Sequence, residues 1–269
     1  MSQAPSRPRA PILFVPAAAP AWGQRLAWTC ASLGALVLVW SLAAWLANSR
    51  HGPSPLTVLN VLVHEAQTGT LWLALAATLA RVAVSFSLAM VIGSMIGLGL
   101  GRNEAANRFF DPWLILFLNL PALVIIALCY VWMGPWETTA ITAVALNKIP
   151  SAAVQMREGA RALSRDLDEM ALVYRFGWWK TLRHVTIPQL APFFAASARS
   201  GLALVWKIVL VVEALGGHAT GVGHQIYTAF QSFDVPVILA YALAFIAVIQ
   251  VIESALLQPW QAHLNRWKR

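Results

Sequence analysis

The sequence predicts an all-α membrane protein with about six transmembrane helices. Of its 269 residues, 59% are hydrophobic and only 11% are charged, whereas a soluble domain carries about 25% charged residues. So few charges cannot cover a water-facing surface of this size, and lipid is therefore the expected solvent. Two further observations agree. Six apolar runs are long enough to cross a bilayer, and the basic residues between them fall almost entirely on one side.

The apolar runs define one transmembrane domain over residues 23–269. A spanning helix needs about 20 mainly apolar residues. The fifth run is interrupted by Arg199 and Lys207, and residues 1–22, which contain five prolines, are expected to form a disordered cytoplasmic tail. Spans are predicted at 26–47, 70–101, 109–134, 137–156, 188–213 and 235–259.

The distribution of lysine and arginine predicts the orientation. Six spans place both termini on one side of the membrane, and fourteen basic residues then lie on that side, while only Arg50 lies on the other. The remaining four lie in or beside the spans. Because basic loops stay in the cytoplasm, both termini and the loop 157–187 are predicted to be cytoplasmic. The net charge of +8 therefore reflects topology, and it does not indicate nucleic-acid binding.

Several other classes of site are not supported by the sequence. Cys30 and Cys129 lie in apolar runs, which favours buried thiols over a disulfide or a metal pair. His218 and His224 share a glycine-rich outer loop without a third ligand cluster, so no metal site is predicted. There is no catalytic Gly-x-Ser-x-Gly or His-Glu-x-x-His and no phosphate-binding glycine loop. The two similar halves expected of a secondary transporter are also missing.

The long loop 157–187 is predicted to contain a short amphipathic helix. Asp166 is placed to cap its start, with Glu169 three residues later as in a capping box, and Gly177 suits the position that ends it. Four apolar side chains recur at helical spacing: Leu167, Met170, Ala171 and Tyr174. This stripe must be buried against lipid, against the bundle or against a soluble partner, and periodicity alone does not choose among them.

The same loop resembles the EAA loop of ABC importer permeases. Glu169-Met-Ala171 is followed by Val185-Thr-Ile187-Pro188, with the proline nineteen residues after the glutamate. Flanking segments over residues 119–134, 159–163 and 212–223 resemble the nitrate, sulfonate and taurine branch, and the resemblance covers roughly residues 55–269.

There are two departures from the family pattern. Met170 replaces an alanine, and Arg175 stands where the family has a glycine. Because a glycine appears two residues later, at Gly177, the docking helix is expected to end about half a turn late.

The resemblance implies a type I ABC importer permease in the bacterial inner membrane. Such a chain pairs with a second copy, docks two ATPase subunits that bind ATP and magnesium, and receives its solute from a periplasmic binding protein. It is itself no enzyme and holds no cofactor. The implied solute is a small anion of the sulfonate, taurine or nitrate type; a pyrimidine-type vitamin precursor or an aromatic acid is the alternative. The implied coupling residues are Asp166, Leu167, Glu169, Met170, Ala171, Tyr174 and Gly177.

Ionisable residues inside the spans are candidates for the translocation path. In the fifth span the candidates are Trp206, Lys207 and Glu213, with Lys207 preferred as a cationic lining. The alternative is that Lys207 forms an internal ion pair with Glu213 or Glu253. Lys148 is expected to snorkel towards the membrane surface.

Two further features belong to the predicted path and its surroundings. Asn119 and Pro121 either unwind the third span beside the path or form a packed kink. Arg81 begins the charge-free part of the second span and is expected to snorkel outward.

Overall fold

The computed structural model describes residues 22–47, 49, 52–216, 220–257 and 259, and within these ranges the chain is helical without any strand. It divides into two compact units, Met1–Pro55 and Leu56–Arg269. The first unit contains α1 (Trp22–Ala47). The indole Nε1 of Trp40 donates to the carbonyl oxygen of Pro53 over 3.1 Å, which holds the end of the unit against its helix.

The second unit is a bundle of helices joined by short turns. A π-helical turn, Leu182–Thr186, links two of its helices, and another, Glu253–Leu257, follows the last. The helices are α2 (Pro55–Thr68), α3 (Thr70–Arg102), α4 (Glu104–Asn119), α5 (Ala122–Met133), α6 (Glu137–Arg161), α7 (Arg165–Val173), α8 (Trp178–Thr181), α9 (Ile187–Leu215), α10 (Val222–Gln231) and α11 (Val235–Ile252).

Length and composition identify four membrane-crossing stretches in the described chain: Ala27–Ala47, Thr70–Arg102, Trp178–Leu215 and Val235–Ala255. A fifth is the pair α4 and α5, which are bent by 94° at their junction. The predicted fourth span coincides with α6, which is too polar to be identified as a membrane-spanning helix from its composition alone. Its lysine, Lys148, is buried by neighbouring helices, so packing within the bundle compensates for what the composition lacks.

The break in the predicted third span lies at Leu120 and Pro121. Leu120 is extended (φ −69°, ψ 126°), as expected for a residue that precedes proline. Pro121 has no N–H to continue the ladder of helical hydrogen bonds. The third span therefore breaks into two helices at Leu120 and Pro121, within the segment where either unwinding or a kink was expected, and Asn119 is the last residue of the first helix.

The close contacts between helices fix their relative directions. Gly93 and Gly101 of α3 face Ala152 and Ala160 of α6 in ascending order, so the two helices run parallel. α9 runs against both. Thr78 of α3 bonds Glu213 near the end of α9, whereas Arg102 bonds Thr186 just before its start. The end of the bundle that holds Arg102, Arg161 and Thr186 is called the basic end below.

A seam of small residues brings α3 and α6 into backbone contact. Gly93, Gly97 and Gly101 are spaced four residues apart, a pattern that lets membrane helices approach closely. A Cβ atom at Gly93 would lie 2.6 Å from the Cβ of Ala152, and one at Gly97 would strike the carbonyl oxygen of Ala153. The seam therefore has no room for even one methyl group.

We expect Gly97→Ala to destabilise the protein by about 1–3 kcal/mol, because the added methyl group forces the two helix backbones apart. Gly99→Ala is the matched control, since a Cβ at Gly99 meets nothing within 4 Å. Thermal unfolding of the purified protein in one detergent measures both. Equal melting temperatures for the two variants would show that the seam is not tightly packed.

Candidate functional site

A buried ion pair ties together three helices at the end of the bundle opposite the basic end. Arg81 of α3 is 5% exposed and Glu213 of α9 is fully buried, and their Nη1 and Oε1 atoms are 2.6 Å apart. Glu137, at the start of α6, accepts from Nε over 2.6 Å and from Nη2 over 2.9 Å. This two-pronged geometry is the strong form of a guanidinium–carboxylate pair.

Every donor of the Arg81 guanidinium is used. Its remaining bonds go to Thr220, from Nη1 to the carbonyl oxygen (2.8 Å) and from Nη2 to Oγ1 (3.3 Å). The five bonds of Arg81 match the five N–H groups of a guanidinium. A buried charge is tolerated when its partners are this complete.

Glu213 is equally well satisfied. Thr78 Oγ1 lies 2.9 Å from each carboxylate oxygen, and the Gly223 N–H donates to Oε2 over 2.8 Å. The Thr78 hydroxyl in turn accepts from the Val222 N–H over 2.8 Å. The cluster of Thr78, Arg81, Glu137 and Glu213, with the backbone of 220–223, is called the ionic latch below.

Gly221 is the point where the loop presses against the ionic latch. Its φ of +129° is unfavourable for other residues, and a Cβ there would lie 2.5 Å from Cδ of Glu213 and 2.7 Å from Nη1 of Arg81. Glycine is therefore required by both backbone and space. The latch fixes the start of α10 against α3 and α9.

One prediction about these charges is wrong, and one alternative considered for Lys207 is excluded. Arg81 does not snorkel outward, because the buried carboxylate of Glu213 and the carboxylate of Glu137 satisfy it in place. Glu213 does not pair with Lys207. The two residues are six positions apart on α9, which places them about 120° apart around the helix. Glu213 faces the core, whereas Lys207 is exposed.

A groove of about 890 Å³ lies between α9 and α11, and Lys207 opens onto it. Trp206, also predicted for the path, lines its floor and stacks edge-on against Phe245 with ring centroids 5.8 Å apart. Arg199 and Glu253 line the same groove, with Nη2 and Oε1 3.5 Å apart. The groove therefore presents two cationic side chains, one of them paired, above an aromatic floor.

The other predicted path residues do not reach this groove. The Asn119 Nδ2 donates to the Ile115 carbonyl oxygen within its own helix over 2.7 Å. Pro121 is the N-cap residue of α5, and Glu213 belongs to the ionic latch. The structure thus brings Trp206 and Lys207 together and leaves Asn119, Pro121 and Glu213 elsewhere.

Lys148 is buried rather than snorkelling, with 2% of its surface exposed. Its ammonium donates to the Ser151 hydroxyl over 3.1 Å, and its side chain fills the space left by the missing side chain of Gly201 on α9. Within the described ranges no ion pair joins it to a carboxylate. The predicted snorkelling is wrong because α9 covers this face of α6.

The helix of the predicted coupling loop is α7, but it is capped differently from the expectation. Its N-cap is Ser164, without a side-chain hydrogen bond, so the predicted capping box of Asp166 and Glu169 is wrong. The Ser164 N–H donates instead to Oε1 of Gln189 over 3.0 Å. The start of α7 is therefore tied to α9 by a tertiary contact that no local pattern contains.

The end of α7 corrects the prediction about glycine. The Arg175 N–H donates to the Leu172 oxygen (3.0 Å) and the Phe176 N–H to the Ala171 oxygen (2.8 Å). These are the two hydrogen bonds of a Schellman motif. Arg175 adopts the left-handed conformation with φ of 51°, at a cost of roughly 1–2 kcal/mol. Gly177 is extended, with φ of −68°, and precedes α8. The helix therefore ends at the family's glycine position, and Gly177 does not stop it.

The apolar residues of α7 face two ways. Ala171 is 2% exposed and packs inward, so it cannot itself contact another protein. Four large side chains near the end of the helix are strongly exposed, Val173 at 78%. They form the α7 apolar surface: Leu172, Val173, Tyr174 and Trp178. Leu167 and Met170 lie at its edge, less exposed.

The histidines and cysteines form no cluster in the structure as described. His218 lies outside the described residues, and no group of three His, Cys, Asp or Glu side chains in the described part could hold a metal ion. Cys30 is exposed and Cys129 is buried, and both are free thiols.

We expect Arg81→Gln to lower the stability of the protein by about 3–5 kcal/mol, because it leaves the Glu213 carboxylate buried without its counter-charge. Arg108→Gln is the control. It removes an arginine from the exposed pair with Glu104, which contributes about 0–1 kcal/mol. Thermal unfolding in detergent compares them, and equal losses would contradict the structural importance of the ionic latch.

Comparisons with known proteins agree with this architecture. A family model described as "Binding-protein-dependent transport system inner membrane component" matches residues 89–269. The chain is 27% identical to the aliphatic sulfonates transport permease SsuC of Bacillus subtilis over 80% of its length and 78% of the relative's. It is 26% identical to the taurine transport system permease TauC of Escherichia coli, over 88% of each chain.

Solved structures share the fold. A chain from the MetNI methionine ABC transporter in an inward-facing conformation superimposes with a TM-score of 0.63 at 19% identity, over 72% of this chain and 97% of that one. The predicted family and the predicted type I importer fold are thus confirmed. The chain belongs to the binding-protein-dependent transport inner-membrane family, as a multi-pass permease of an ABC importer.

Proposed function

We propose that this permease carries a small anion across the inner membrane through a path that includes the groove between α9 and α11. The observation that carries the proposal is the exposed ammonium of Lys207 on that groove. A cation facing a cavity inside the membrane is costly unless it serves a ligand or an ion pathway. Neither Glu213 nor Glu253 forms an ion pair with Lys207 within the described ranges, which leaves its charge available to a solute.

The chemistry of the solute is inferred from the groove and from the relatives. SsuC and TauC are named for sulfonates and taurine, and a further relative, CmpB of Synechococcus elongatus, is 28% identical and named for bicarbonate. A small sulfonate, taurine or nitrate fits this range of oxyanions. The Trp206 and Phe245 rings on the same groove favour an aromatic acid as the second candidate.

The proposed orientation puts the basic end in the cytoplasm, together with both termini. Arg102, Arg157 and Arg161 all lie at this end, near the boundary of the spans, where basic residues mark the cytoplasmic side. The ionic latch and α10 would then face the periplasm. A substrate-binding protein would deliver its solute there.

The α7 apolar surface is the proposed contact with a separate ATPase subunit. Exposed aromatic and aliphatic side chains on a cytoplasmic helix indicate a protein partner more than a free surface. ATP and magnesium would be held by that partner, and a second copy of this chain would complete the path. Closure of the ATPase pair would push α7 and, through the Ser164–Gln189 contact, the start of α9.

Glu169 is proposed to take part in this docking. Its carboxylate is exposed and makes no hydrogen bond with any residue of the described chain. Since α7 begins directly after Ser164, Glu169 lies within the helix and its carboxylate does not cap the helix start. A basic residue of the ATPase is the partner that its charge and exposure suit.

We expect Val173→Asp to uncouple ATP hydrolysis from transport, because it places a charge at the centre of the α7 apolar surface without disturbing the bundle. Val173→Thr, which keeps the shape, is the control. ATPase activity and solute uptake in proteoliposomes, with co-purification of the ATPase, measure the effect. Normal uptake by Val173→Asp would refute the docking role. Ala171→Asp is a poor test because Ala171 is buried.

Lys207→Gln should reduce uptake of an anionic solute about tenfold, the effect of losing about 1.4 kcal/mol of charge interaction in the path. Lys207→Arg, which keeps the charge, should retain most of the activity. Radiolabelled taurine, a small alkanesulfonate, nitrate and an aromatic carboxylate are compared with the cognate binding protein present. Uptake that is unaffected by Lys207→Gln would exclude this residue from the path.

A further inference from the structure

We propose that the groove bounded by α3, α4 and α6 binds one anionic phospholipid, whose headgroup lies against the first turn of α7. This site is separate from the translocation groove, since the two share no lining residue. The site rests on the proposed orientation only in that the lipid comes from the cytoplasmic leaflet, and its expected effect on transport rests also on the proposed docking of α7.

The tail site is an apolar groove of about 560 Å³. Leu100 and Leu114 form its buried floor, and Phe110, Trp113 and Phe117 stand half-exposed along its wall. A Cβ atom at Gly99 meets nothing within 4 Å, so the groove is open at its centre. Apolar, concave and facing outward from the bundle, it suits an acyl chain.

The length of the groove fits one leaflet. α4 starts at the basic end and its groove residues run from Ala106 to Phe117. The eleven helical steps from the first of these residues to the last rise about 16 Å, and half of the hydrocarbon core of a bilayer is about 15 Å. Trp113 lies in this stretch, exposed, where an indole can pack along the upper part of a lipid chain.

The headgroup site is a second, polar cavity of about 460 Å³ that continues from the first at Leu100. Three arginines line it, Arg102, Arg161 and Arg165, together with Glu104 and Asp168. Both carboxylates are already engaged, Glu104 with Arg108 at 2.5 Å and Asp168 with Arg102 at 3.7 Å.

The arginines retain unused donor capacity. Arg165 forms no ion pair with any residue in the described ranges, and Arg161 reaches only Glu158, outside the cavity, at 3.4 Å. Basic pockets between spanning helices at the cytoplasmic surface are suited to anionic headgroups. A phosphate with its ester oxygens would bridge Arg161 and Arg165 while its chain lies in the apolar groove.

The position of the headgroup would link the membrane to the coupling helix. Arg165 is the first residue of α7 and Asp168 lies in its first turn. A bound phosphate would hold this turn against the ends of α3 and α6. Anionic lipid is therefore expected to favour the docked position of α7 and to raise coupled transport.

Lipid retention by the purified permease–ATPase complex tests the site. After reconstitution in vesicles of equal phosphatidylglycerol and phosphatidylcholine, native mass spectrometry should detect one retained phosphatidylglycerol per permease. Arg161→Gln/Arg165→Gln should lower this retention roughly tenfold. Arg183→Gln, an exposed arginine of the same end outside the cavity, should leave it unchanged.

A second variant tests the tail site with all charges in place. Gly99→Phe fills the groove and should also abolish retention, while inorganic phosphate added in excess should not displace the lipid. Retention that survives both variants, equal retention of phosphatidylcholine, or displacement by free phosphate would overturn the proposal. Because the readout is lipid mass and not uptake, failure of the anion-import proposal would leave this result unaffected.

Discussion

The ion pair between Arg81 and Glu213 is the constraint on which the arrangement of the second unit depends. Two charges buried in a membrane protein are tolerated only when nearly all of their hydrogen-bonding groups are satisfied. Here that requirement recruits the first residue of α6, a threonine of α3 and the backbone of residues 220–223. Each of these segments must be in register for the charges to be tolerated. The pair thus selects one packing of the bundle over near alternatives.

The ionic latch and the small-residue seam act at different places along the same two helices. The latch holds α3 to α9 and to the start of α6 near Arg81, and the seam holds α3 to α6 from Gly93 to Gly101. Apolar surface drives little association inside lipid. Specific packing therefore comes from hydrogen bonds at the ionic latch and from close van der Waals contact along the seam. The groove between α9 and α11 is left outside both, on a less constrained face.

Local patterns in the sequence were sufficient for much of the fold. The charge-free runs, the proline at position 121 and the amphipathic stretch of α7 all predict elements that the structure contains. Membrane topology is this accessible because the bilayer imposes length and polarity on each span. The composition of α6 shows the limit, since a span buried by its neighbours can carry polar residues such as Lys148.

Contacts between residues that are far apart in the sequence could not be predicted from local patterns. Arg81 and Glu213 are separated by 132 positions, and the general rule that an intramembrane arginine needs a carboxylate points to a pairing without choosing between Glu137 and Glu213. The N-cap of α7 is Ser164 and not Asp166, and the Ser164 N–H bonds Gln189, which is again a tertiary contact. Arg175 was the most informative departure, since a left-handed backbone there keeps the family's helix end without its glycine.

The seam between α3 and α6 also limits how the protein can move. Backbones in direct contact, interlocked at every turn from Gly93 to Gly101, cannot slide past each other by a fraction of a turn without collision. α3 and α6 are therefore a single rigid body in any motion that preserves the seam. The shear and hinge movements available to an importer are left to the junction at Leu120 and Pro121 and to the interface between α9 and α11.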